Sequence, residues 1–213
     1  MNIGIFGGTF NPIHLGHLRT ALEILERYRM KQILFVPSSI PPHKSKSETA
    51  SAIHRLKMVN LAITGNPSFA VSETEIHRRG KSYSIDTIRG LKKEYPDDKL
   101  AFIMGMDAFM EINTWHKYQE LFNECDFIVH SRGGMAKVGW QQAIPSELKS
   151  RFKKKGNSKQ FTHSSGSTLT FCEVTPLGIS ASAIREMVRG GHSIRYLLPR
   201  RVLEYIHENN LYK

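Results

Sequence analysis

Residues 2–36 decide the fold, and they read NIGIFGGTFNPIHLGHLRTALEILERYRMKQILFV. Residues 2–6 are a short apolar run that two glycines end, which is typical of a buried strand followed by a tight turn. Apolar residues then recur with the helical period over 17–28, and residues 32–36 are a second apolar run. A strand, a helix and a strand in such a short stretch predict a βαβ unit with parallel strands.

The same alternation continues to the end of the chain and predicts an α/β fold. We expect a doubly wound, Rossmann-like, mostly parallel sheet in a single domain over 1–213, with C-terminal helices. Residues 133–167 give only weak signals, and we predict that they form a basic flexible excursion within that domain. The other expected elements are helices at 51–63, 84–94, 180–188 and 199–209, strands at 100–104, 126–130 and 169–174, and extended structure at 69–76.

Charge is the unusual feature of the composition. The 213 residues include 30 Lys and Arg against 19 Asp and Glu, which gives a net charge of +11. This excess favours polyanionic partners, either nucleic acid or phosphorylated small molecules, with a solvated basic surface as the alternative. Cys125 and Cys172 have no CxxC spacing, which favours a reducing, cytoplasmic location. No apolar run reaches the roughly 18 residues of a membrane-spanning helix.

The strongest chemical signal is residues 7–17, GGTFNPIHLGH, between the first strand and the first helix. Ligands bind at the carboxyl ends of strands in open α/β sheets, so the position suits a binding site. Glycines let backbone N–H groups approach an anion, and the helix beginning near His17 directs its positive end there. His14 and His17 can donate hydrogen bonds to phosphate oxygens. Zinc is the alternative, but no further ligands lie nearby in the sequence.

This stretch resembles the signature of the nucleotidylyltransferase superfamily, whose core is (H/T)xGH. The family often has Asp where this chain has Asn11, so the chain keeps a short turn-forming side chain without the charge. A second stretch, ISASAIR at 179–185, resembles the superfamily element ISSTxIR, which holds the β- and γ-phosphates of ATP. Taken by itself, it fits a plain helix capped by Ser180 equally well. Ser182 and Arg185 are three residues apart and therefore share one helical face.

A third stretch is PPHK at 41–44. Its prolines stiffen an extended loop, from which Lys44 can reach a phosphate, although a solvated loop lysine is the common alternative. In the resembled family this lysine faces the reacting phosphates. Residues 54–58, HRLKM, match another recurrent element of the family, to which we assign no role.

Three further features resemble the nicotinate mononucleotide adenylyltransferases in particular: GKSYSIDT at 80–87, GMDA at 105–108, and Trp115. The likeness implies that Trp115 stacks on the pyridine ring and that the nicotinate carboxylate takes backbone N–H bonds near Ser84 and His116. The physical argument agrees, because N–H groups at a helix start favour a carboxylate. A carboxamide would turn its own NH₂ donors towards them.

The resemblance implies an enzyme that transfers AMP from ATP to nicotinate mononucleotide and releases pyrophosphate. Mg²⁺ is expected to enter with ATP, without a dedicated set of protein ligands. The expected catalytic residues are His14, His17, Lys44 and Arg185. The expected ATP-binding residues are Gly7, Gly8, Thr9, Phe10, Gly105, Asp107, Ile179, Ser180 and Ser182. The expected nicotinate nucleotide-binding residues are Tyr83, Ser84, Thr87, Trp115 and His116.

Several alternatives stay open at this point. Another adenylyltransferase or cytidylyltransferase of the superfamily would share the first two motifs, with nicotinamide mononucleotide or phosphopantetheine as acceptor. A non-catalytic protein that senses nucleotides or binds nucleic acid is the alternative of a different class. Against nucleic acid, the basic residues are dispersed and no helix-turn-helix, RRM or zinc-finger spacing occurs. We therefore expect neither specific nucleic-acid binding nor membrane association, and a homodimer is left open.

Overall fold

The computed structural model describes residues 2–40, 49–78, 80–131, 142–156 and 158–213. The strands are β1 (Asn2–Gly8), β2 (Gln32–Pro37), β3 (Phe69–Val71), β4 (Lys99–Gly105), β5 (Asp126–Ser131), β6 (Phe152–Lys154), β7 (Gln160–His163) and β8 (Thr168–Glu173). The α-helices are α1 (Leu15–Arg27), α2 (Ala52–Ile63), α3 (Thr74–His77), α4 (Ser84–Glu94), α5 (Met106–Met110), α6 (Tyr118–Glu124), α7 (Ala181–Arg189) and α8 (Arg200–Glu208). Short 3₁₀ helices cover Ile112–Thr114 and Ser146–Arg151.

The described strands form one eight-stranded sheet in the order β3-β2-β1-β4-β5-β8-β7-β6. The first six strands in this order pair in parallel, and β7 and β6 add an antiparallel edge. The predicted α/β fold with a mostly parallel sheet is therefore confirmed. The chain runs outward from β1 to β3 and then returns to β4 on the other side of β1. The crevice at the carboxyl ends of β1 and β4 is thus the topological switch point, where such sheets bind ligands.

Strand residues alternate between two hydrophobic layers, one on each face of the sheet. In β4, Phe102 and Met104 pack with α4 and α6, whereas Ala101 and Ile103 pack with α1, α2, α7 and α8. This period of two follows from the pleat of a strand. Both faces of the central strands are covered by helices, which explains why these strands are apolar at nearly every position. No helix among the described residues is long and apolar enough to cross a membrane.

The structure corrects several expected elements. Residues 69–76 were expected to be extended, but only Phe69–Val71 is a strand and Thr74–His77 is a helical turn. Helix α1 begins at Leu15 instead of near His17. The sequence analysis also missed α5, α6 and the antiparallel strands β6 and β7. These elements have three to seven residues, too few for a hydrophobic period to stand out. Part of the segment 133–167 is therefore regular structure that widens the sheet.

Candidate active site

A cavity of ≈ 600 Å³ opens at the switch point. It lies between the glycine turn at the end of β1 and the segment that contains Trp115. Predicted residues from both halves of the expected site line it together. They are Gly7, Gly8, Thr9, Tyr83, Ser84, Thr87, Gly105, Trp115 and His116.

Gly7 and Gly8, the last two residues of β1, leave little room for a side chain. A Cβ at Gly8 would lie 3.0 Å from the ring of Phe10, and a Cβ at Gly7 would lie 3.2 Å from the ring of Phe102. Phe10 is only 3% exposed, so its side chain fills the base of the loop and only its backbone can face a ligand. The absence of side chains at the two glycines leaves the backbone open to a bound group, as an anion-binding turn requires.

His14 and His17 form one unit at the start of α1. His14 is the N-cap residue and is 1% exposed, and His17 is half-buried. Their rings stack with centroids 3.7 Å apart. The backbone N–H of His14 donates to Nδ1 of His17 at 3.3 Å. Because Nδ1 accepts this bond, a neutral His17 carries its proton on Nε2, where it can donate to an oxygen of a ligand.

The predicted phosphate motif at α7 lies against the same loop. Ser180 caps α7 by accepting a hydrogen bond from the N–H of Ala183 at 3.2 Å. Nη1 of Arg185 donates to the backbone carbonyl of Asn11 at 2.9 Å. A Cβ at Gly16 would lie 3.8 Å from the carbonyl oxygen of Ile179. Residues 7–17 and 179–185, which are far apart in the sequence, therefore form one surface, and Ser180 and Ser182 are exposed on it.

The other side of the cavity carries aromatic rings and a helix start. Trp115 is half-buried and packs edge-on against Phe102, with ring centroids 6.1 Å apart. The rings of Tyr83 and His116 lie 4.3 Å apart. Ser84 is the first residue of α4, and the first N–H groups of a helix have no partner within it. The aromatic side chains can stack on a planar ligand ring, and the N–H groups at the start of α4 can bind an anionic substituent on that ring.

A buried polar cluster holds the start of α4 in place. The hydroxyl of Thr87 donates to Oε1 of Glu75 at 2.6 Å. Nη2 of Arg78 donates to Oγ1 of Thr87 at 3.1 Å and to the carbonyl of Tyr83 at 3.4 Å. Glu75 and Thr87 are 8% and 1% exposed. Thr87 lies in the cavity wall with its hydroxyl engaged in this cluster. The sequence analysis missed Glu75, since a single glutamate in a segment expected to be extended carries no signal.

Arg55 is a second functional residue that the sequence left without a role. It is 1% exposed, and its guanidinium donates to the carbonyls of Ala50 at 2.9 Å, Thr9 at 2.8 Å and Ser39 at 3.0 Å. Burial lowers the pKa of Arg55, while the nearby Tyr212 and Glu75 act in the opposite direction. A guanidinium keeps its charge despite such burial. Arg55 therefore places a fixed positive charge next to the glycine turn and fastens Thr9.

The remaining predicted residues are placed as follows. Asp107 is exposed on α5, directly after Gly105 at the carboxyl end of β4. Lys44 and the rest of the PPHK stretch lie outside the described residues. Among the residues that are described, no group of three or more His, Cys, Asp or Glu side chains could hold a metal ion.

The sequence matches a known family model over most of its length and named proteins over its full length. The cytidylyltransferase-like family model matches residues 5–187. A protein of Geotalea uraniireducens is 44% identical over 212 residues, covering 100% of this chain and 98% of that protein. A protein of Citrifermentans bemidjiense is 45% identical with the same coverage. Both relatives are named probable nicotinate-nucleotide adenylyltransferase.

Solved structures support the fold independently. The nicotinic acid mononucleotide adenylyltransferase of Plasmodium falciparum, in complex with NaAD, superimposes with a TM-score of 0.73 at 21% identity. The match covers 99% of this chain and 97% of that one. The same protein in complex with APC gives a TM-score of 0.71 at 20% identity and covers 99% and 96% of the two chains.

Proposed function

Because this chain belongs to the cytidylyltransferase-like family, and to its nicotinate-nucleotide adenylyltransferases, we propose that it transfers AMP from ATP to nicotinate mononucleotide. The products are nicotinate adenine dinucleotide and pyrophosphate, so the reaction is a step of NAD biosynthesis. The main support for the proposal is the cavity that joins the glycine turn of β1 to the aromatic residues around Trp115. An adenylyltransferase that joins two nucleotides needs both halves in one cleft.

The chemistry needs no nucleophilic side chain. An oxygen of the acceptor's 5′-phosphate attacks the α-phosphorus of ATP, a new P–O bond forms, and the bond to the departing pyrophosphate breaks. A phosphate is already an anionic nucleophile, so the protein must mainly position the two substrates and neutralise charge. The excess of basic residues is consistent with two anionic substrates meeting in one cleft.

We assign the two histidines to the α-phosphate. Nε2–H of His17 is a donor for an oxygen on which charge grows as the new bond forms. The buried His14 stacks on His17 and limits its ring to one orientation. Arg185 donates a hydrogen bond to Asn11, in the loop that leads to the two histidines. We assign Arg185 and Lys44 to the bridging oxygen and to the oxygens of the departing pyrophosphate.

We assign the remaining predicted residues to the ATP site and to the acceptor site. The phosphates of ATP are assigned to Gly7, Gly8, Thr9 and the backbone of Phe10. The ribose is assigned to Gly105 and Asp107. The β- and γ-phosphates are assigned in addition to Ile179, Ser180 and Ser182. Trp115 stacks on the pyridine ring, and N–H groups at Ser84 and His116 bind its carboxylate. Tyr83 and Thr87 shape that pocket.

Magnesium belongs to this proposal as a companion of ATP. Mg²⁺ is usually bound through substrate phosphates and one or two carboxylates, so it would neutralise charge on the pyrophosphate. A cytoplasmic location and the absence of specific nucleic-acid binding stay predictions, and a homodimer is left open.

Pyrophosphate release tests the function directly. The chain is incubated with ATP and Mg²⁺ and with nicotinate mononucleotide, nicotinamide mononucleotide or phosphopantetheine, and H17A gives the background. Turnover with the acid alone supports both the reaction and the carboxylate site. Comparable turnover with the amide would contradict our account of Ser84 and His116. Turnover with phosphopantetheine alone, or none with any acceptor, would refute the proposed function.

A further inference from the structure

Asn11 connects three distant parts of the chain to the loop between β1 and α1. It is 2% exposed. Its Oδ1 accepts hydrogen bonds from the N–H of Ala50 at 3.1 Å and from the hydroxyl of Tyr212 at 2.8 Å. Its backbone carbonyl accepts from Arg185. The segment before α2, helix α7 and the last residues of the chain therefore all contact this one residue.

Tyr212 reaches this position by a tight turn after α8. The N–H of Leu211 donates to the carbonyl of Ile206 at 3.0 Å, and Asn210 and Tyr212 adopt positive φ angles of 50° and 68°. The ring of Tyr212 packs against the hydrophobic layer that contains α1, α2, α7 and α8. A left-handed backbone at residues other than glycine is uncommon, so the surrounding contacts must hold the turn in place.

The hydroxyl of Tyr212 lies in a cationic environment. Burial raises the pKa of Tyr212, and the positive charges of Arg185 and Arg55 oppose that rise. The phenol is therefore protonated at neutral pH and can donate to Asn11. Tyr212 is thus near the charge of Arg185, which we assign to the phosphates, and that of Arg55, which holds Thr9. Its own hydrogen bond goes to Asn11.

We infer that Tyr212 is a positioning residue for the transfer reaction, acting through Asn11 on the loop that carries His14 and His17. The inference rests on the proposed function. Asn11 lies in the same loop as His14, three residues before it, so we expect the hydrogen bond from Tyr212 to help fix the position of the histidine pair. Removing the hydroxyl takes one donor from a buried amide oxygen, which is costly where water cannot replace it. The hydroxyl of Tyr212 bonds to Asn11 and is assigned to no substrate, so we expect its removal to lower kcat more than it raises KM.

The chain offers a matched pair of variants. Y212F removes only the hydroxyl that binds Asn11. Y205F removes a hydroxyl that makes a bond of the same 2.8 Å length to Nδ1 of His54, between α8 and α2. We expect Y212F to lower kcat about 3- to 10-fold, the range of one neutral hydrogen bond, with both KM values within about twofold. Y205F should keep the wild-type kcat.

A double-mutant cycle separates positioning from general stability. If Tyr212 acts through Asn11, N11A combined with Y212F should be no slower than N11A alone. N11D keeps the acceptor oxygen, so Y212F should remain harmful in that background. A wild-type kcat for Y212F, an equal loss in Y205F, or independent effects of N11A and Y212F would each overturn the inference. If the wild-type chain forms no dinucleotide, the proposed function itself fails, and the inference fails with it.

Discussion

Replacing Arg55 should destabilise the protein far more than replacing an arginine on its surface. The guanidinium makes three hydrogen bonds to backbone carbonyls, and hydrogen bonds of charged groups contribute about 1.5–3 kcal/mol each. These contributions are not additive and partly offset the cost of burying the guanidinium charge, so its loss should cost about 3–5 kcal/mol, less than their sum. R55M keeps the aliphatic packing and removes all three donors. We therefore expect its free energy of unfolding to fall by about 3–5 kcal/mol.

Urea unfolding followed by circular dichroism measures this difference. With a slope of about 2–3 kcal/mol per molar urea, the midpoint of R55M should fall by about 1–2 M. R55K keeps the charge but loses the fork that reaches several carbonyls, so its midpoint should lie between R55M and wild type. R89M is the control, because Arg89 pairs with Glu120 and Glu124 on the exposed side of α4. A midpoint for R55M equal to that of R89M would refute the reasoning.

Three further predictions follow from the site and the core. H17A should lower kcat by about 100- to 1000-fold, as loss of an oxyanion donor does, with a smaller change in the ATP dissociation constant; equal losses in both would contradict the assigned role. W115A should raise KM for nicotinate mononucleotide by about 5- to 100-fold through lost stacking and leave KM for ATP near wild type, and W115F should recover part of the loss. Burial and the charge of Arg151 lower the pKa of His163, so the folded state binds fewer protons there than the unfolded one. Stability should therefore fall as pH drops below about 6.5, and H163Q should flatten that dependence in unfolding curves; an unchanged slope would show that other groups cause it.

The parts of the fold that were predictable from sequence are those with a strong local pattern. The apolar run and glycine turn of residues 2–8 and the helical period after it led directly to β1 and α1. Short elements such as α5 and β6 were not predictable, because tertiary pairing and not local periodicity determines them. Strand β6 has only three residues and exists because Phe152–Lys154 pairs with β7.

The residues of the candidate site likewise divide into those that a sequence motif marks and those that only their contacts in the structure reveal. Motif residues such as His17 and Trp115 stand out because they belong to recognisable motifs. The structure places Trp115 in the cavity wall and His17 against Phe6, which lines the same cavity. Residues that support the site give no such signal. Arg55 bonds only to backbone carbonyls, and Tyr212 reaches Asn11 from 201 positions away, so their partners become visible only in three dimensions.

The basic edge of the sheet explains part of the net charge that the substrates do not. Strand β6 is the last strand of the described sheet, and an open edge presents unpaired backbone groups to other chains. Phe152 faces the core, whereas Lys153 and Lys154 are exposed. Lysines on an edge strand oppose pairing with a second sheet, because their charges would have to be desolvated. Lys153 and Lys154 thus have a structural reason that needs no polyanionic partner, so part of the net charge of +11 is not evidence for one.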